Sequence, residues 1–170
     1  MDAIIGAGGH IQPNDPLSEL LTEGQPKALL PIAGKPMIQW TLDAIAGSEQ
    51  IENVIIIGLD EKHNLNCGSK TVHYLQSNDT IFENARSGCK LALKLNPEAT
   101  QILWISADLP LIETPMIDWF INQVQISQHE LYYQIIDQDV MESRFPTSRR
   151  TYTKLKGKIV CGGDVSAINP

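Results

Sequence analysis

The sequence predicts an α/β fold, a three-layer α/β/α arrangement on a mainly parallel sheet. Three observations carry that expectation. Strand-length apolar runs alternate with longer stretches of helical period. Two of the runs, Asn53–Gly58 (N-V-I-I-I-G) and Gln101–Ser106 (Q-I-L-W-I-S), lack polar alternation, the pattern of strands buried on both faces. The 170 residues are 42% hydrophobic and 19% charged, ordinary globular values that exclude a disordered or collagen-like chain. Residues 1–170 read as one domain with no internal repeat and no clear linker.

The elements follow in order. Asp2–Ile5 is a short apolar strand leading into Gly6-Ala7-Gly8-Gly9. A loop broken by Pro13, Asp15, Pro16, Gly24 and Pro26 admits no helix beyond a turn. Pro36 opens a helix that runs to about Ala46 and closes at Gly47, with Met37, Ile38, Thr41, Leu42 and Ile45 on one face. Thr71–Leu75 is a strand, and Thr80–Leu95 is a helix stopped before Pro97. Pro115–Gln128 is a helix with Met116, Ile117, Phe120, Ile121 and Val124 inward, and Leu131–Ile136 is a strand. Tyr152–Leu155 and Ile159–Cys161 form a hairpin around Lys156-Gly157. Asn53–Gly58 and Gln101–Ser106 should be adjacent, interior and parallel, and a sheet edge should stand open at the C-terminal hairpin.

Charge and cysteine content narrow the partners. A net charge of −7 argues against a nucleic-acid polymer. No run approaches the 18 apolar residues of a membrane span, and the N-terminus has no basic, cleavable leader. Three scattered cysteines without a C-x-x-C suit a reducing cytoplasm and neither a disulfide framework nor a zinc site. The basic charge is uneven, however. Between Ser143 and Gly163 there are six basic residues and no acid, which suits a small phosphorylated ligand or a solvated lysine-rich hairpin.

In open α/β sheets the ligand sits beyond the carboxyl ends of the strands, at a switch point. Two segments qualify, the glycine loop after the first strand and Ala107-Asp108-Leu109-Pro110 after the strand ending at Ser106. Gly8 and Gly9 leave backbone N–H groups open to a ligand. A dinucleotide fingerprint fails because its third glycine falls on Ile11, although Asp60 mimics the ribose-binding acid. A P-loop fails because no G-K-[ST] occurs.

Taken together, Ala7-Gly8-Gly9, Gln25-Pro26-Lys27-Ala28-Leu29-Leu30 and Ile32-Ala33-Gly34-Lys35-Pro36-Met37-Ile38 resemble the opening of the nucleotidyltransferases of the glycosyltransferase-A-like fold, in the molybdenum-cofactor guanylyltransferase-like branch. Glu83-Asn84-Ala85-Arg86-Ser87-Gly88 resembles the nucleoside-side helix, and Ser106-Ala107-Asp108-Leu109-Pro110-Leu111 the metal-binding segment. Arg149-Arg150-Thr151-Tyr152 with Gly162-Gly163-Asp164 resembles the acceptor-side strands. The resemblance implies Mg²⁺-dependent transfer of a nucleoside monophosphate from a nucleoside triphosphate to a phosphorylated small-molecule acceptor, releasing pyrophosphate. It implies Lys27 and Asp108 as catalytic residues, and Ala7, Gly8, Gly9, Lys27 and Asn84 around the nucleotide. Arg149 and Arg150 would meet the acceptor, and Asp108 with Asp164 would hold the metal. Such chemistry needs positioned charge around in-line oxygens, which a lysine and a hard carboxylate supply.

The chain departs from that pattern in four places. The family's G-G-x-G-x-R-M loop is here Gly8-Gly9-His10-Ile11-Gln12-Pro13-Asn14, without the third glycine or the arginine. Gly6 stands where relatives usually have leucine, and Asp164 where they often have asparagine. Relatives continue past the equivalent of Pro170 with helices and a second metal carboxylate, so a truncated domain with Asp164 as substitute ligand is expected. Two other readings are a nucleotide-binding module that has lost turnover and a nucleotide-sugar glycosyltransferase. The second requires a D-x-D triplet where this chain has Asp108-Leu109-Pro110.

Overall fold

The computed structural model describes residues 1–13, 17, 19–20, 23–127 and 129–170. Six residues of the expected proline-rich loop, 14–16, 18, 21 and 22, and the expected helix end at Gln128 lie outside the described residues. Strand β1 (Asp2–Gly6) opens the chain. Two short strands, β2 (Pro31–Ile32) and β3 (Lys35–Pro36), pair antiparallel around Ala33-Gly34. Helix α1 (Met37–Ala46) starts one residue after Pro36, which caps it, and ends at Gly47. Then come β4 (Asn53–Ile57), β5 (Thr71–Leu75), α2 (Ile81–Leu95), β6 (Ile102–Ser106) and α3 (Thr114–Ile126). The chain finishes with β7 (Leu131–Asp137), α4 (Gln138–Arg144), β8 (Thr153–Leu155) and β9 (Lys158–Ile168).

The main sheet has the order β5-β4-β1-β6-β9-β7, with β8 on β9. The first four strands are parallel, whereas β9 runs antiparallel to both β6 and β7. Three expectations change here. β4 and β6 are interior and parallel but not adjacent, because β1 inserts between them, Ile4 facing Ile55 on one side and Trp104 on the other. Strand β9 runs seven residues past Cys161 and sits between β6 and β7, so the main sheet ends at β5 and β7 while β8 pairs only with β9. Met116, expected inward on α3, is exposed, and helix α4, with no buried residue, occupies a segment for which the sequence suggests no element.

Side chains alternate across the strands and make two apolar layers. Ala3 and Ile5 of β1 pack with Leu42 and Ile45 of α1 and with Ile117 and Ile121 of α3. Ile4, Ile55, Ile57 and Ile102 face the other way, against Ala92 of α2. Each fully buried aliphatic side chain contributes about 1.5–3 kcal/mol. Gly88 lets α2 come close, since a Cβ there would sit 2.7 Å from Ile4 Cδ1. The helix itself is fixed at its start, where the Glu83 N–H donates to Thr80 Oγ1 at 3.1 Å.

Candidate active site

The chain leaves β1 toward β4 and β5 and later returns to the other flank of β1 as β6, so the strand order reverses between β1 and β6. At that reversal Gly6 lies directly opposite Ser106. The glycine loop and the Ser106–Asp108 segment therefore emerge side by side, where open α/β sheets bind ligands.

Two hollows flank this point and share Gly6, Gly9 and Ser106. One, of about 310 Å³, lies between the glycine loop, the 77–81 segment, Asn84 and Trp104. The other, of about 280 Å³, is walled by Ala7, Leu17, Lys27, Met37 and Asp108. A larger hollow of about 640 Å³ lies at the opposite edge of the sheet, against Met1 and Asn169. It is far from the switch point and holds none of the residues that the sequence singles out.

Backbone bonds explain how Lys27 reaches a loop nearly twenty residues earlier. The Lys27 N–H donates to Gly9 O at 2.8 Å, the Ile11 N–H to Gln25 O at 2.9 Å, and the Gly24 N–H to Ile11 O at 3.1 Å. Residues 9–11 and 24–27 thus form a narrow antiparallel clasp, and Lys27 then begins a single 3₁₀ turn. Asp108 is held by its own strand end, with the Ser106 hydroxyl donating to Asp108 Oδ1.

The two glycines of the loop have different reasons to be glycine. A Cβ on Gly8 would fall 2.3 Å from Ser77 Oγ, and one on Gly58 would fall 2.4 Å from Gly8 Cα. Gly58 is also at φ +99°, a conformation that glycine alone adopts readily. Gly9 is exposed, and a Cβ there would meet nothing within 4 Å. Packing gives no reason for glycine at position 9, while close approach of a ligand does.

Asn84 lines the first hollow, but its amide also holds the hollow's rim. Its Oδ1 accepts from the Asn78 N–H at 2.6 Å and from Asn78 Nδ2 at 3.2 Å, and its Nδ2 donates to Ser77 Oγ at 3.4 Å. Arg149 is exposed. Arg150 turns inward, where Nη2 donates to Gly162 O at 2.6 Å and pairs with Asp164 Oδ2 at 3.4 Å. Partial burial works against that guanidinium's charge, yet Asp164 and Cys161 outweigh it and raise its pKa. Neither arginine lies on a strand, since β8 begins at Thr153. The pairing of β6 with β9 ends with Ile105 opposite Val165, so Asp164 follows just beyond the last pair, at the end of β6 that carries Ser106. Among the described residues no three His, Cys, Asp or Glu side chains cluster as a metal cage. The hollow's residues 77–81 and Trp104 were missed in the sequence. Their only signal was a turn-rich S-N-D-T stretch following a strand.

The sequence profile of the MobA-like NTP transferase domain matches residues 21–149, three quarters of the chain. The chain belongs to that family. The matched span begins after the glycine loop. A maize 3-deoxy-manno-octulosonate cytidylyltransferase is 26% identical over 127 residues, which is 75% of this chain but 42% of the relative. A hypothetical transferase from Thermus thermophilus superposes with a TM-score of 0.73 at 24% identity, over 99% of this chain and 64% of that one. A 4-diphosphocytidyl-2C-methyl-D-erythritol synthase from Anaerococcus prevotii gives a TM-score of 0.65 at 14% identity, over 99% and 69% of the two chains. Thus the chain spans less than half of its curated relative, and about two thirds of its structural neighbours. The structural likenesses confirm the α/β fold. No helix among the described residues is long and apolar enough to cross a membrane.

Proposed function

We propose that this MobA-like domain transfers a nucleoside monophosphate from a nucleoside triphosphate to a phosphorylated small-molecule acceptor, releasing pyrophosphate, in the cytoplasm. The observation that carries the reading is the convergence of Gly9, Lys27 and Asp108 on two joined hollows at the β1/β6 switch point. CTP is the first nucleotide to test, since the maize relative is a cytidylyltransferase and another neighbour of this fold is a CMP-2-keto-3-deoxy-manno-octonic acid synthetase complexed with CTP.

The nucleoside lies in the hollow bounded by residues 77–81, Asn84 and the glycine loop. The triphosphate runs along the backbone of Ala7, Gly8 and Gly9, with Lys27 neutralising the leaving pyrophosphate. Positioning and charge are the main things the protein must supply in such a transfer.

The donor set suits Mg²⁺, which takes hard oxygen ligands and uses one or two carboxylates together with substrate phosphates. Asp108, oriented by the Ser106 hydroxyl, and Asp164, just beyond the last β6–β9 pair, would be those carboxylates. When bound, the ion would stabilise charge on the transferring phosphoryl group. The acceptor phosphate approaches from the side of Arg149 and Arg150. The three cysteines are free, as a reducing compartment allows.

A nucleotide-binding module without turnover is favoured by one observation, the engagement of Arg150 with Asp164. Thermal unfolding with ATP, GTP, CTP and UTP, each with and without Mg²⁺, tests nucleotide binding. One nucleotide at 100 times its Kd should add about 2.7 kcal/mol. Pyrophosphate release with a panel of sugar phosphates then tests transfer. Stabilisation without release over the panel would favour the module, and no stabilisation by any nucleotide would overturn both readings.

A further inference from the structure

We propose that Trp104 is the aromatic wall against which the nucleoside of the bound nucleotide lies. The inference rests on the nucleotide-binding reading above and deepens it. Gly6 and Trp104 lie on neighbouring strands, on the α2 face of the sheet, with Ile4 opposite Trp104 in the register. A Cβ on Gly6 would come to 3.1 Å from Trp104 Cζ2 and 3.7 Å from Cη2. The six-membered ring of the indole therefore occupies the space that a side chain at position 6 would fill.

Trp104 is not simply core. Its inner part packs against the layer of Ile4 and Ile102, but the residue is only half-buried and lines the hollow bounded by Ser77, Asn84 and Gly9. The Trp40 indole N–H is satisfied by Ile32 O at 3.1 Å, whereas the Trp104 N–H has no hydrogen-bond partner among the described residues. A half-buried ring with an open donor at the base of a hollow is suited to stack on a base and to reach a ribose hydroxyl. Glycine at position 6 makes room for this wall.

Binding of CTP, CMP and inorganic pyrophosphate to the full chain and to Trp104→Leu and Trp104→Phe tests this by calorimetry. ATP with AMP, GTP with GMP, or UTP with UMP replaces the cytidine pair if thermal unfolding selects it. Trp104→Leu should weaken both nucleotides about tenfold and leave pyrophosphate unchanged, while Trp104→Phe keeps most of the affinity. Equal loss for nucleotide and pyrophosphate, or no loss for either, would overturn the assignment. Should Trp104→Leu fail to fold, Gly6→Ala keeps the ring but pushes it by the 3.1 Å contact. It should weaken nucleotide and not pyrophosphate, and unchanged nucleotide affinity in it would overturn the assignment equally. Nucleotide binding by wild type with no effect of these variants refutes this inference alone. Absence of any nucleotide binding by wild type refutes the parent reading with it.

Discussion

Adding one methyl group to Gly58 and one to Gly9 should have opposite consequences. In Gly58→Ala the new Cβ would sit 2.4 Å from Gly8 Cα and 2.6 Å from Gly8 N, against backbone that no rotamer change can relieve. The φ of +99° adds about 1–2 kcal/mol for an L side chain, and overpacking adds about 1–3 kcal/mol. A loss of about 2–5 kcal/mol is a large share of the stability of an ordinary domain. In a chain of this size it lowers the Tm by about 10 °C, and it displaces the glycine loop as well. In Gly9→Ala the methyl meets nothing within 4 Å, so stability should stay within about 0.5 kcal/mol of wild type. Nucleotide affinity should nevertheless fall, because the methyl stands where the phosphates approach. Gly8→Ala is intermediate, since its closest obstacle is the Ser77 side chain, and Ser77→Gly should restore it. Urea unfolding and calorimetric nucleotide binding on the three variants provide the measurement. A stable Gly58→Ala would refute the packing argument, and a Gly9→Ala that binds nucleotide like wild type would refute the reason given for glycine there.

Asp108→Asn should leave the fold intact and weaken Mg²⁺-dependent nucleotide binding, while the weaker binding of Lys27→Ala should persist without Mg²⁺; loss of stability in place of metal dependence would make Asp108 a turn residue. Arg150→Ala should change stability by under about 1 kcal/mol, as expected for a partly exposed pair, and should reduce affinity for a sugar phosphate as read by calorimetry. Burial pushes the Cys67 thiol up to about 11, from 9.0, so between those values the unfolded chain has released a proton that the folded chain retains. The stabilisation is complete below about pH 9 and is lost as pH rises towards 11, by roughly 2–3 kcal/mol in all. Urea unfolding at pH 8 and pH 10.5 should show the loss, and Cys67→Ala should abolish it.

The buried parallel strands were legible because a strand covered on both faces needs an unbroken apolar run, and Asn53–Ile57 and Ile102–Ser106 have one. Their order was not legible, since nothing local in either run says that β1 will insert between them. The end of β9 was hidden by Gly162, Gly163 and Asp164, residues of low strand propensity. Their reason is tertiary, because a Cβ on Gly162 would fall 2.3 Å from Tyr133 Oη and one on Gly163 2.6 Å from Gln134 Oε1. Helix α4 was missed because it buries nothing and so carries no apolar stripe. At the site, Lys27 and Asp108 could be read from short motifs at loop and strand ends. Trp104 could not, for in sequence it is one more apolar residue of a buried strand.

Strand β9 also dictates an order of assembly. Its eleven residues are made after both β6 and β7, yet they fill the gap between them. Until they arrive, β6 has one bare flank, and Leu131–Asp137 has no native strand to pair with. That waiting segment, L-Y-Y-Q-I-I-D, is rich in strand-forming residues and nearly uncharged, the composition that pairs with other chains when left unprotected. Refolding should therefore yield less native protein as concentration rises, and a peptide of residues 158–168 supplied in trans should counter the loss. In pulsed hydrogen exchange, the β1 and β4 amides should be protected before those of β7, because closure of the β6–β9–β7 unit waits for a strand made after both its neighbours.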